Sequence, residues 1–317
     1  MENLFNTSSR FTLLAIEEME RFKYLYCTCL LVTYLLIVMF SSAIFIVVLI
    51  NEALHQPMYI LIANLMLNGI FGSSCFLPKL IVDLLLSSKV ISRLECFIQS
   101  FCVTVFAYFE ISAFTIMAYD TYLAVCHPLR YPTLMKNETA LKLIGGSVVF
   151  NIVFVLVSVL LSAKLPLCGS HINNFFCDNM SIFILSCTDS SVNKLYGTIK
   201  FVIYLIVSLV IIAYSYMKVL AICFHISEDA CRKAIHTLVT HSLNFSIFLV
   251  GALFIFIRYR LESVNLPLIC HILLSLIGST IPPLLNPVVY GIRTKALRVK
   301  VFSHIQKMNK KQFIMFQ

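Results

Sequence analysis

The chain has 317 residues, 60% of them hydrophobic and 12% charged, with a formal net charge of +9. That balance excludes an ordinary soluble domain, in which about 25% of residues are charged; seven buried core helices in water would need far more polar outer surface. A transmembrane barrel is excluded as well, because its segments alternate in polarity over about ten residues, whereas the apolar runs here are continuous.

Met1 to Tyr24 carry acids and bases and no apolar core, so no cleavable signal peptide is read there. The first apolar run is expected to act as its own insertion signal. No Asp, Glu, Lys or Arg occurs between Lys23 and Glu52, Glu52 and Lys79, Lys142 and Lys164, Lys233 and Arg258, or Glu262 and Arg293. Each gap exceeds the roughly 20 apolar residues that cross a bilayer as a helix. Two more runs carry isolated ionisable groups: Cys96–Cys126 contains Glu110, and Tyr196–Cys223 has Lys200 near one end. The expectation is an all-α membrane protein: a seven-helix bundle forming one domain over 1–317, with an N-terminal segment 1–24, transmembrane helices over 25–291 and a tail 292–317.

Seven spans put the termini on opposite sides. After Tyr290 the tail holds Arg293, Lys295, Arg298, Lys300, Lys307, Lys310 and Lys311 and no acid, which suits an anionic cytoplasmic leaflet. Lys and Arg are also slightly more numerous on the tail's side of the spans, a weak positive-inside bias. The N-terminus is therefore expected outside, in a multi-pass plasma-membrane protein. Leu297, Val301, Phe302 and Ile305 share one helical face, which predicts a short amphipathic helix lying along the membrane.

Of the 12 cysteines, Cys96, Cys168, Cys177 and Cys187 fall at or beyond the outer face, the side that permits disulfides. Four cysteines allow three pairings, and spacing does not choose among them. Of the glycosylation sequons at Asn6, Asn137, Asn179 and Asn244, Asn6 is the favoured site. Asn179 stands close to cysteines, Asn137 would be cytoplasmic and Asn244 lies within a span.

Three groups inside the spans carry chemistry. Asn286-Pro287 breaks helical hydrogen bonding in the last span, and the freed carbonyl needs a partner from a neighbouring helix or water. Glu110 is an acid at mid-membrane, expected to be hydrogen-bonded, protonated or ion-bound. Lys79 and Asp83, four apart, are expected to pair on one helical face.

Four segments resemble rhodopsin-like G-protein-coupled receptors, and within them odorant receptors. They are Leu54-His55-Gln56-Pro57-Met58-Tyr59; Met117-Ala118-Tyr119-Asp120-Thr121-Tyr122 through Cys126-His127-Pro128 to Tyr131; Ser215-Tyr216 followed by Lys233-Ala234, Thr237 and His241; and Pro283-Leu284-Leu285-Asn286-Pro287-Val288-Val289-Tyr290. Their order across seven spans covers almost the whole chain, and Asn68-Gly69 through Pro78-Lys79 looks most like fish-type odorant receptors. The loop from Leu167-Cys168-Gly169 to Ser186-Cys187 is similar to the family's long cysteine-rich loop.

The resemblance implies several roles. Cys96 would pair with Cys177 and Cys168 with Cys187. A small odorant would bind in the outer half of the bundle, among Val103, Thr104, Ala107, Tyr108, Lys200, Tyr204, Phe256 and Arg260. Asp120, Thr121, Tyr122, Tyr216, Asn286, Pro287 and Tyr290 would serve activation and coupling to a heterotrimeric G protein of the stimulatory olfactory type, amid membrane lipids. No cofactor, metal, catalytic residue or nucleic acid is implied. The chain departs from the family's pattern at Thr121, where an arginine normally stands, at Gly69 in place of an acid, and at Ser41 in place of an asparagine. Threonine has neither charge nor a five-donor fork, so a receptor fold with weak or no signalling, a decoy, is the alternative. A transporter or channel is less favoured, since no two halves repeat. An enzyme is not expected: His236 and His241 are five apart and do not share a helical face.

Overall fold

The computed structural model describes residues 10–258 and 268–315; Asn6 and Arg260 lie outside them. In chain order the elements are β1 (Arg10–Leu13), α1 (Leu14–Met19), α2 (Lys23–Ile50), α3 (Pro57–Ser74), α4 (Leu77–Leu85), β2 (Val90–Ser92), α5 (Arg93–Cys126), α6 (Tyr131–Leu134), α7 (Asn137–Ala163), β3 (His171–Ile172), α8 (Asn179–Ile184), α9 (Ser191–Cys223), α10 (Glu228–Arg258), α11 (Leu268–Arg293) and α12 (Lys295–Met315). Seven helical segments among them are long and apolar enough to cross a membrane.

The helix boundaries follow local chemistry. Pro57 opens α3 in its first turn, where its missing N–H has no helical partner to lose. At the start of α5, Ser92 Oγ accepts from the Glu95 N–H and Glu95 Oε2 accepts from the Ser92 N–H at 3.0 Å, so two orphan donors are satisfied reciprocally. The second span is not one helix. It breaks between Ser74 and Leu77, and Pro78 stands in the first turn of α4, where its ring cannot continue the preceding helix. Lys79 and Asp83 pair across one turn of α4 at 3.1 Å.

Two close approaches set the bundle. A Cβ on Gly251 of α10 would stand 2.8 Å from the Cα of Gly278 on α11, so these backbones meet only because both residues lack side chains. At Gly72 of α3, the ring of Phe106 from α5 fills the space a Cβ would take.

One end of the bundle is roofed. β1 lies between β2, antiparallel, and β3, parallel. Its Phe11 and Leu13, with Ile16 and Met19 of α1, enter a buried cluster with Phe76, Ile172, Phe175 and Phe176. Lys89 ties this segment down through Glu17 of α1 at 3.7 Å and Glu20 just beyond it at 3.2 Å, and Glu20 holds the Lys89 ammonium above the usual lysine range. Cys96 at the top of α5 is bonded to Cys177, Cα atoms 5.3 Å apart, and Cys168 to Cys187, 5.2 Å apart. Gln99 fixes the same loop by accepting from the Cys177 N–H at 2.8 Å.

At the opposite end α12 runs from Lys295. Leu297 is buried, and Val301 packs on the lower core with Ile44, Leu61 and Tyr290. Phe302 faces outward, and the side chain of Ile305 lies outside the described residues.

Candidate functional site

Beneath the roof, polar groups from α5, α7 and α9 converge. Tyr204 of α9 donates to Asn151 Oδ1 at 2.9 Å and meets Ser112 Oγ, while Asn151 Nδ2 donates to Ser112 at 2.8 Å. Lys200, one turn earlier on α9, is buried. Its ammonium donates to Ser158 of α7 and stands 4.8 Å from the Phe154 ring centre, 5.2 Å from that of Tyr108 and 5.9 Å from that of Tyr196. No acid forms an ion pair with it among the described residues. Ring faces attract a cation, but a desolvated ammonium otherwise gains most from an anion.

A cavity of about 710 Å³ lies along this network, lined by Ser112, Thr115 and Ile116 of α5, Gly146, Phe150 and Phe154 of α7, and Lys200, Ile203, Tyr204 and Ser208 of α9. Of the eight residues expected around a ligand, Lys200 and Tyr204 line it. Tyr108 abuts it, its ring 4.9 Å from that of Tyr204. Phe256 is linked through Phe201, ring centres 4.2 Å apart. Val103 packs instead against the roof and Ala107 against the lower core, and Thr104 turns its hydroxyl to the Ser100 carbonyl at 2.6 Å. Sequence reasoning missed Ser112, Asn151 and Ser158. The signal was available: Ser147, Asn151, Ser158 and Ser162 form a polar stripe on the otherwise apolar α7, and such a stripe faces protein rather than lipid.

Midway down, Glu110 is fully buried. Oε2 accepts from Asn68 Nδ2 at 2.7 Å and Oε1 from Asn286 Nδ2 at 2.6 Å. One carboxyl thereby ties α3 and α11 to α5, one residue before Pro287, which stands inside the continuous helix α11 together with Pro282 and Pro283. Tyr290, one turn beyond, is also buried, with its hydroxyl 4.0 Å from Met117 Sδ and its ring 5.8 Å from His241.

Toward the tail, Tyr131 of α6 donates to Asp120 Oδ1 at 2.9 Å; burial and that carboxyl push its phenol above the usual range. Thr121 donates to the Met117 carbonyl at 2.9 Å, inside its own helix. Tyr122 meets His127 Nε2 at 3.0 Å. Tyr216 packs beside Val219, Ala234 and Leu238, and α9 continues past it to Cys223. A cleft of about 1000 Å³ opens here between α3, α10, α11 and α12, lined by Arg232, Lys233, His236, Arg293, Lys295 and Lys300 with Tyr59 and Tyr290, and by no acid among its described residues. Such a basic mouth attracts an acidic partner.

The chain therefore has a roofed end with a buried cation that has no ion-pair partner among the described residues, a hydrogen-bonded post at mid-depth, and a basic cleft at the other end. A family model described as olfactory receptor matches residues 29–308. Human olfactory receptor 52D1 is 34% identical over 271 residues, covering 84% of this chain and 85% of its own length. Human olfactory receptor 56A4 is 30% identical over 302 residues, covering 95% and 96%, and mouse olfactory receptor 6E1 is 28% identical over 306 residues, covering 96% and 97%. With seven membrane-length helices and matches over most of its length, the chain belongs to the olfactory receptor family.

Proposed function

We propose that this olfactory receptor is one seven-helix domain in the plasma membrane, with its roofed N-terminal end outside and its basic tail in the cytoplasm. It binds a small odorant beneath the roof and activates a heterotrimeric G protein of the stimulatory olfactory type. Val103, Thr104, Ala107, Tyr108, Lys200, Tyr204, Phe256 and Arg260 are assigned to ligand recognition. Asp120, Thr121, Tyr122, Tyr216, Asn286, Pro287 and Tyr290 are assigned to activation, Asn6 to glycosylation, and Glu110 to coupling the helices by hydrogen bonds. The observation that carries the ligand reading is Lys200, a buried cation among rings with no carboxylate paired to it among the described residues. An odorant with an acidic group supplies the missing anion, and its alkyl or aryl part gains about 0.8 kcal/mol per buried methylene. The test is dose–response of second-messenger production to carboxylates and their matched alcohols, in the parent and in Lys200→Ala and Arg260→Ala. The carboxylate response should weaken selectively in one or both variants. Parallel responses in all three proteins refute the anion reading and leave an apolar pocket.

The basic cleft supports coupling despite Thr121. Arg232, Lys233, Arg293 and Lys295 line it, so positive charge reaches the mouth from α10 and from the α11–α12 corner.

A further inference from the structure

The cavity beside Lys200 is not a closed chamber under the roof. Its lips are residues whose side chains face outward in apolar spans: Phe150 of α7 is 53% exposed, and Ile203 and Val207 of α9 are 57% and 53% exposed. In a multi-pass membrane protein those surfaces meet lipid. Its lining is mostly apolar, with Ser112 of α5, Tyr204 and Ser208 adding a few hydroxyls. The result is an amphipathic slot between α7 and α9 with one cation at its roofed end. Lys200 stands nine residues into α9, which is about 13 Å along the helix.

We propose that this slot is a membrane-facing binding site for a single-chain carboxylate amphiphile, which enters sideways from the bilayer between α7 and α9 and seats its carboxylate on Lys200. The chain then lies along α7 from Phe154 toward Leu143, a distance of about 16 Å. Charge complementarity selects this occupant. The ammonium has ring faces and the Ser158 hydroxyl around it and no ion-paired acid among the described residues. A neutral sterol or alcohol leaves that ammonium unpaired. The proposal deepens the odorant reading and rests on it for Lys200, but it adds a location and a route: partition into lipid first, then lateral entry.

The experiment uses the purified full-length receptor in lipid nanodiscs, with decanoic acid carrying a terminal diazirine and the matching decanol as probes. Cross-linked peptides are mapped by mass spectrometry, with both disulfides verified in every variant. The terminal diazirine of the acid should label segments around Gly146 and Val207, about a chain length from Lys200. Lys200→Met should lower acid labelling roughly tenfold or more, the ratio expected for a lost charge-assisted hydrogen bond, and leave alcohol labelling nearly unchanged. Gly146 lines the slot, and a Cβ there meets nothing within 4 Å, so Gly146→Phe should fill it without disturbing the core and abolish labelling by both probes. Gly145→Phe, at a neighbour equally open but not lining the slot, should change neither. Acid labelling at Val103, Ala107 or Phe256 instead overturns the lateral site while leaving the odorant pocket intact. Absence of labelling, indifference to Gly146→Phe, or equal losses of acid and alcohol in Lys200→Met also overturn it. Failure of the odorant reading is read separately, as loss of selectivity in the second-messenger assay.

Discussion

Replacing Glu110 by glutamine tests whether the buried carboxyl is the post joining three helices. The side chain is fully buried and each oxygen accepts from an amide, Asn68 Nδ2 at 2.7 Å and Asn286 Nδ2 at 2.6 Å. Asn68 cannot simply turn over, because the same Nδ2 also donates to the Phe106 carbonyl at 3.3 Å. Glutamine keeps one acceptor and turns the other position into a donor facing a donor. One hydrogen bond is lost and a buried N–H is left unpaired, at a cost of about 1–3 kcal/mol. Purified receptor should therefore lose a few degrees of Tm in Glu110→Gln and more in Glu110→Ala, which orphans both amides. Glu110→Ala and Asn286→Ala share one bond, so their losses should be less than additive. A Tm equal to that of the parent in Glu110→Gln, or strictly additive losses in the double variant, would refute this account of the post.

Gly251→Leu should destabilise the bundle by about 1–3 kcal/mol, because its Cβ meets the Gly278 backbone, whereas Gly197→Leu, with nothing within 4 Å, should leave thermal unfolding unchanged; equal Tm values for the two variants would contradict the close approach. Thr121→Arg should raise ligand-stimulated second-messenger output at equal surface expression, since the present hydroxyl is spent on Met117; an unchanged response means the basic cleft suffices. Lys89→Met should speed limited proteolysis around Arg10–Arg21 by removing the ion pairs to Glu17 and Glu20. Because folding raises the Lys89 pKa, its contribution is present below the ordinary lysine value and lost as pH rises through the raised one, so the parent should become as cleavable as the variant only in strong alkali.

The spans were legible because charge is so costly in lipid that stretches such as Lys233 to Arg258 stand out without any periodicity. The break at Ser74–Leu77 was not, since an apolar run across it looks continuous and only Pro78 hints at a restart. The three-stranded roof was invisible because its strands are two to four residues each, too short for alternation to register. Lys200 could be found by its charge. Its surroundings could not be, because Ser158 and Phe154 approach it from another helix, 42 and 46 residues away in sequence, and only packing fixes that register.

The contact of Gly251 with Gly278 has a mechanical consequence. Two backbones that touch without side chains between them can roll but cannot move closer, so the contact acts as a fulcrum for α10. Phe256 lies about 8 Å from it along the helix, and Lys233 about 27 Å from it on the other arm. A tilt that moves Phe256 by about 1 Å sweeps Lys233 through more than three times that distance. α10 is thus a lever whose short arm lies beneath the roof and whose long arm carries the cationic wall of the opposite cleft.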